Sequence, residues 1–177
     1  MENKVSVWKT NLNSGLIMGL TGIVYTLIIY FLDLTLNKVQ GLILLAILIF
    51  LLFYLIKSYR NNYLYGYISY GQSVGAGVII FLYYSIIMAI FTYILFKFID
   101  TGLTAKILAY SEETLVKRGM PQQAIDAGMA FNKKIMTPGI MALGSILGNM
   151  FRGTIIALIV SIFTKKEVNP LVDAPSN

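Results

Sequence analysis

Arg152 is the residue whose type and setting most demand a chemical explanation. It stands inside an apolar run, 14 residues after Pro138 and 11 before Phe163. A helix through that run would hold the guanidinium roughly 16–21 Å from either end, at about 1.5 Å per residue. That depth exceeds the reach of a snorkelling side chain. A charge at the bilayer centre costs about 2.5–3.5 kcal/mol on insertion scales, so something must compensate it. Asn149 lies one turn earlier on roughly the same face. No aspartate or glutamate occurs at matching depth in the other apolar runs. Backbone carbonyls, tyrosines such as Tyr83, Tyr84 or Tyr93, a water-filled cavity, or an acidic group from a partner remain as compensating groups. Arg152 and Asn149 are therefore candidates for binding or partner contact, with a purely structural role as the alternative.

The second unusual stretch places Tyr63, Tyr65, Tyr67 and Tyr70 among Gly66, Gly71, Gly75 and Gly77. Tyrosine suits the boundary between headgroups and tails, because its ring is apolar and its hydroxyl seeks water. An anchoring belt is the plain reading. The functional alternative is a docking site for a partner or lipid headgroup, with Tyr67, Tyr70 and Gln72 as its candidate contacts.

Most catalytic chemistry is excluded by composition. The chain has neither cysteine nor histidine, which removes thiolate nucleophiles, disulfides, histidine-based acid–base catalysis and the commonest transition-metal ligands. The carboxylates are few, and Glu112 and Glu113 are adjacent, so they point to different sides of a helix. A metal-dependent phosphotransferase needs several convergent acids. The sequence supports no catalytic residue, metal site or cofactor, and the expectation is a protein that is not an enzyme.

The elements that must position Arg152 follow from hydropathy. Of the 177 residues, 57% are hydrophobic and only 12% charged, whereas a soluble domain carries roughly twice that charge. A hydrocarbon core about 30 Å thick requires roughly 20 apolar residues of helix. Four runs qualify, at about residues 12–32, 41–56, 73–98 and 138–163. The second is short and should extend into its flanks. The first ends without a small-residue cleavage site and reads as a retained helix rather than a secretory signal. Thr137 and Pro138 form a helix-start signal, since threonine can cap free amides and proline at the first position has no donor to lose.

Between the third and fourth runs, residues 99–137 carry charge and helix formers but no spanning segment. They read as a helical hairpin on the membrane surface, its first helix over about 104–118 and ended by Gly119, its second opened by Pro121. A polar tail covers residues 164–177. The expected fold is an all-α membrane protein: a single membrane domain over residues 1–177, built as a four-transmembrane-helix bundle with this hairpin.

Small residues four apart let helix backbones approach closely. Gly15 with Gly19, Gly71 with Gly75, Ser73 with Gly77, and Gly144 with Gly148 have that spacing and are the candidate packing positions. Packing within the chain is the first reading, and dimerisation or a partner helix the second. The second run offers only Gly41 and Ala46 and is expected at the outside of the bundle.

The net charge of +6 comes from 14 basic residues set mostly between apolar runs, a pattern of membrane topology rather than of nucleic-acid binding. Lys4, Lys9, Lys57, Arg60, Lys165 and Lys166 fall on one side against Lys38 in the short loop opposite, which predicts cytoplasmic termini. The opposing consideration is the long segment, with Lys97, Lys106, Lys117, Arg118, Lys133 and Lys134.

Two passages carry a family resemblance. Gly66-Tyr67-Ile68-Ser69-Tyr70-Gly71-Gln72, leading through Gly75 and Gly77, is similar to a pattern of glycine, hydroxyl, aromatic and glutamine in the small membrane proteins of Bacteroidetes grouped as domain of unknown function forty-one ninety-nine. Gly153-Thr154-Ile155-Ile156-Ala157-Leu158-Ile159-Val160-Ser161-Ile162-Phe163 before the terminal lysines is the other. The four-helix layout with a long third loop also resembles that family. The resemblance implies a multi-pass protein of the bacterial inner membrane and brings no activity or catalytic residues.

The expected function is a noncatalytic subunit or accessory protein of an inner-membrane assembly, in contact with the lipid bilayer and with a protein partner or further copies of itself. A small oligomeric carrier or channel for an anionic solute or lipid, using Arg152 and Asn149, is the alternative.

Overall fold

The computed structural model describes residues 6–37 and 39–167. Lys4, Lys38 and the tail beyond Glu167 lie outside the described residues. Among the described residues six α-helices follow one another: α1 (Val7–Phe31), α2 (Val39–Tyr63), α3 (Tyr70–Ile94), α4 (Leu103–Lys117), α5 (Gln122–Ile135) and α6 (Pro138–Thr164). A π-helical turn, Leu95–Ile99, extends α3. Helices α1, α2, α6, and α3 with its π turn are long and apolar enough to cross a membrane. The chain is an all-α, multi-pass membrane bundle with a two-helix hairpin between its last two spans.

Local chemistry sets the element ends. The Ser69 hydroxyl accepts from the Gln72 amide at 3.3 Å while the Gln72 side chain accepts from the Ser69 amide at 3.0 Å. This reciprocal pair satisfies two orphan donors and starts α3 at Tyr70, three residues before the start expected from hydropathy. Helix α6 starts as its sequence predicts, with Thr137 capping the Ile140 amide and Pro138 at the first helical position. Gly119 ends α4 at φ +69°. Helix α2 is longer than its apolar run and reaches Tyr63, in line with the expected extension.

Helix α3 is the centre of the bundle. It runs antiparallel to α6, with the Ser73 and Thr164 hydroxyls 2.7 Å apart at one end and Gly77 against Ala157 further along. It runs parallel to α1, where Gly15 lies under Tyr83 and Gly19 under Ile87. Methyl groups at Gly15 and Gly153 would fall on the side chains of Tyr83 and Phe81, and at Gly77 one would stand 2.8 Å from Ala157 Cβ. Helix α2 closes the side with larger residues, burying Leu48, Leu52, Leu55, Ile56 and Tyr59. The core cluster joins these to Met18, Ala76, Ile80, Phe81, Tyr84, Ala157 and Val160.

Polar ties hold the ends. Arg60 donates to the Thr164 carbonyl at 3.0 Å, and Ile68 and Lys166 exchange backbone hydrogen bonds at 2.8 and 2.9 Å. At the opposite end the Tyr30 hydroxyl donates to Asp100 at 3.2 Å, Asp100 also accepts from the Gly102 amide at 3.0 Å, and Lys106 lies 3.7 Å from it. In the hairpin, α4 and α5 pack on each other, with Leu115 3.8 Å from a Cβ placed at Gly128 and Ile125 and Met129 buried.

The packing predicts opposite outcomes for two glycines of α6. Gly153→Leu should destabilise the isolated chain by about 1–3 kcal/mol or more, because the new side chain overfills the contact with Phe81. Gly148→Leu should leave it within about 0.5 kcal/mol, since a Cβ there meets nothing within 4 Å. Reversible unfolding in mixed micelles compares them, and equal losses would contradict the placement of α6.

Candidate functional site

Helix α6 divides at Arg152. After it, Gly153, Ile156, Ala157, Val160, Ser161 and Thr164 are buried against the bundle. Before it, none of residues 138–152 is buried. Gly153 allows α6 to seat on Phe81, whereas on the Pro138 side of Arg152 a pocket lined by Ala89, Ile90, Tyr93, Gly139 and Ala142 lies between α6 and α3. Arg152 is exposed, among Leu147 and Phe151, each 74% exposed. Its guanidinium makes no hydrogen bond or ion pair among the described residues, and Tyr84 is within electrostatic reach. Asn149 is half-buried beside it and makes no side-chain hydrogen bond among the described residues.

The α6 helix is 27 residues long, about 40 Å at its standard rise. Arg152 lies 14 residues from Pro138 and 12 from Thr164, near the middle of the span. Gly144, Gly148 and Arg152 recur every fourth residue and share a face. A Cβ on either glycine would meet nothing within 4 Å. That corrects the expectation of packing within the chain for this pair. Gly71 and Gly75 are likewise free of neighbours, because the close approach of α3 runs through Ser73 and Gly77. Gly15, Gly19 and Gly77 do stand at close approaches.

The structure uses the candidate contacts of the tyrosine stretch internally. Gln72 is committed to capping α3. The Tyr70 hydroxyl donates to the Leu158 carbonyl at 3.2 Å, and the Lys166 ammonium sits 5.2 Å from the centre of the Tyr67 ring. These contacts fasten the α2–α3 connection to the end of α6. Tyr65, by contrast, is 96% exposed and held at φ +53°.

Some positions escaped the sequence reading. Gly153 and Ala157 have the same four-residue spacing as Gly144 and Gly148, so spacing alone could have found them. Gly22 lies against Tyr84 and Met88. Ser73 and Thr164 form a buried hydroxyl pair, which no sequence signal linked. Among the described residues, no group of three or more histidine, cysteine, aspartate or glutamate side chains is placed to hold a metal ion.

The family model described as Protein of unknown function (DUF4199) matches residues 13–166. The chain belongs to this family. The match begins at Asn13, inside α1, covers α2 to α6 and ends at Lys166. No curated protein and no solved structure matches the chain.

Proposed function

We propose that this chain is a noncatalytic component of a bacterial inner-membrane assembly, and that it docks through the first half of α6. One observation carries the reading: an exposed arginine at mid-span with no hydrogen bond or ion pair among the described residues, on a helix face of two glycines where a Cβ would meet nothing within 4 Å. Lipid cannot satisfy a guanidinium at that depth, whereas a partner helix can approach closely over Gly144 and Gly148 and bring acceptors to Arg152. The partner is a second copy or another membrane chain. The carrier alternative places Arg152 and Asn149 in a solute path. Because Arg152 faces outward from the bundle, such a path would have to form between copies, and no specific observation favours it.

Photo-cross-linking in native membranes tests this. A benzoylphenylalanine at Leu147 should yield a discrete protein adduct, while one at Leu20, also exposed but on α1, should yield only lipid adducts. Arg152→Leu should abolish the Leu147 adduct. Lipid adducts alone from both positions would sink the proposal, and an adduct of twice 19.7 kDa would identify the partner as a second copy.

The orientation with cytoplasmic termini is supported by Lys9, Lys57, Arg60, Lys165 and Lys166, which gather at the end of the bundle opposite the hairpin. A reporter fused near Gln122 should then be extracytoplasmic. A cytoplasmic signal there would invert the topology.

A further inference from the structure

On the Pro138 side of Gly153, a groove of about 520 Å³ lies between α6 and α3. Ala89, Ile90 and Tyr93 form one wall, and Gly139, Ala142 and Ile146 lie on the other. The face of α6 involved is the one that packs on α3 further along, and it is distinct from the face carrying Gly144, Gly148 and Arg152. The groove follows α6 from Thr137 to Ile146, about 14 Å at the helical rise, which is close to the half-thickness of a hydrocarbon core of about 30 Å.

Its two ends differ in chemistry. The deep end, at Ala89 and Ile146, is apolar. The outer end has the Thr137 and Tyr93 hydroxyls. There the π turn Leu95–Ile99 brings the Lys97 ammonium back over α3. Lys97 donates to the Tyr93 hydroxyl, with its nitrogen 4.9 Å from the Tyr93 ring centre and 5.5 Å from that of Phe98. These partners are neutral, and Lys97 is exposed. No carboxylate forms an ion pair with Lys97, Lys133 or Lys134 among the described residues, and the last two end α5 just before Thr137.

The geometry points to a binding site for one anionic phospholipid, with an acyl chain in the α3–α6 groove and the headgroup phosphate on Lys97. An apolar groove of leaflet depth, with an exposed ammonium beside its outer end that forms no ion pair among the described residues, has the polarity of a single lipid molecule. The positive end of the α6 dipole at the same mouth adds to the attraction. A zwitterionic lipid fills the slot equally well and gains less from the ammonium, so the site discriminates by headgroup charge.

Fluorescence quenching of the full chain in vesicles tests this. Ile140→Trp, in a Trp8→Phe background that removes the sole tryptophan, reports occupancy of the groove. Dibrominated phosphatidylglycerol should bind at the reporter about five-fold more strongly than dibrominated phosphatidylcholine, the effect of about one lysine at a membrane surface. Lys97→Gln should bring the two lipids close to equality and Lys97→Arg should keep the preference. Ala142→Phe, which fills the groove and leaves every charge in place, should abolish it. Equal quenching by the two lipids in the parent overturns the assignment even if a variant fails to fold. Weak quenching by both, the mark of a partner helix in the groove, overturns it too. So does a preference that survives Lys97→Gln or Ala142→Phe.

Discussion

Lipid tails are as apolar as leucine, so helices in a membrane gain little from burying hydrocarbon against one another and associate where their backbones can come close. The contact of Gly153 with Phe81, and of Gly77 with Ala157, is where this chain meets that requirement. Both lie on the α3–α6 interface. They seat the second half of α6 on the bundle, and the Ser73–Thr164 hydroxyl pair and the Arg60 bond to the Thr164 carbonyl fasten its end. Everything distinctive about the first half follows from the absence of a comparable contact there. The groove lies on one side, and the face with Gly144, Gly148 and Arg152 turns outward.

This arrangement separates stability from association. The fold is held by close approaches at small residues of α3, α1 and the later part of α6, together with the larger residues that α2 buries. The residues with the greatest unmet chemistry lie on the earlier part of α6, where substitution costs the isolated chain little. A soluble protein would cover an exposed guanidinium with water at no cost. At the middle of a spanning helix the same side chain is a standing penalty, and under the proposed docking its removal on association would give a partner a contribution that no apolar residue on this helix can match.

Much of the fold was legible in the sequence because hydropathy and helix-end chemistry point the same way. Thr137 with Pro138, and Gly119 with Pro121, marked boundaries that the structure reproduces to within a residue. The capping role of Gln72 was not separable from a binding role until its bonds to Ser69 were visible. Gly15, Gly19 and Gly77 pack as their spacing suggests, whereas Gly144 and Gly148 do not, for a simple reason. Gly144 with Gly148 and Gly153 with Ala157 have identical spacing on one helix, and which pair packs depends on the rotation of α6 about its own axis. That rotation is set by α3, so it does not appear in the local pattern. The groove is equally nonlocal, since it lies between two helices.

Docking through α6 depends on Arg152 having no hydrogen bond or ion pair of its own, as it has none among the described residues. The most direct test is the unfolding free energy of the purified chain in lipid, wild type against Arg152→Leu, at a dilution that keeps it monomeric. Leucine at mid-span is welcome to lipid and arginine is not, so the variant should be more stable by about 2–4 kcal/mol, with Arg152→Lys close to wild type. A variant less stable than wild type would contradict the account, because it would mean that Arg152 is already satisfied inside the bundle.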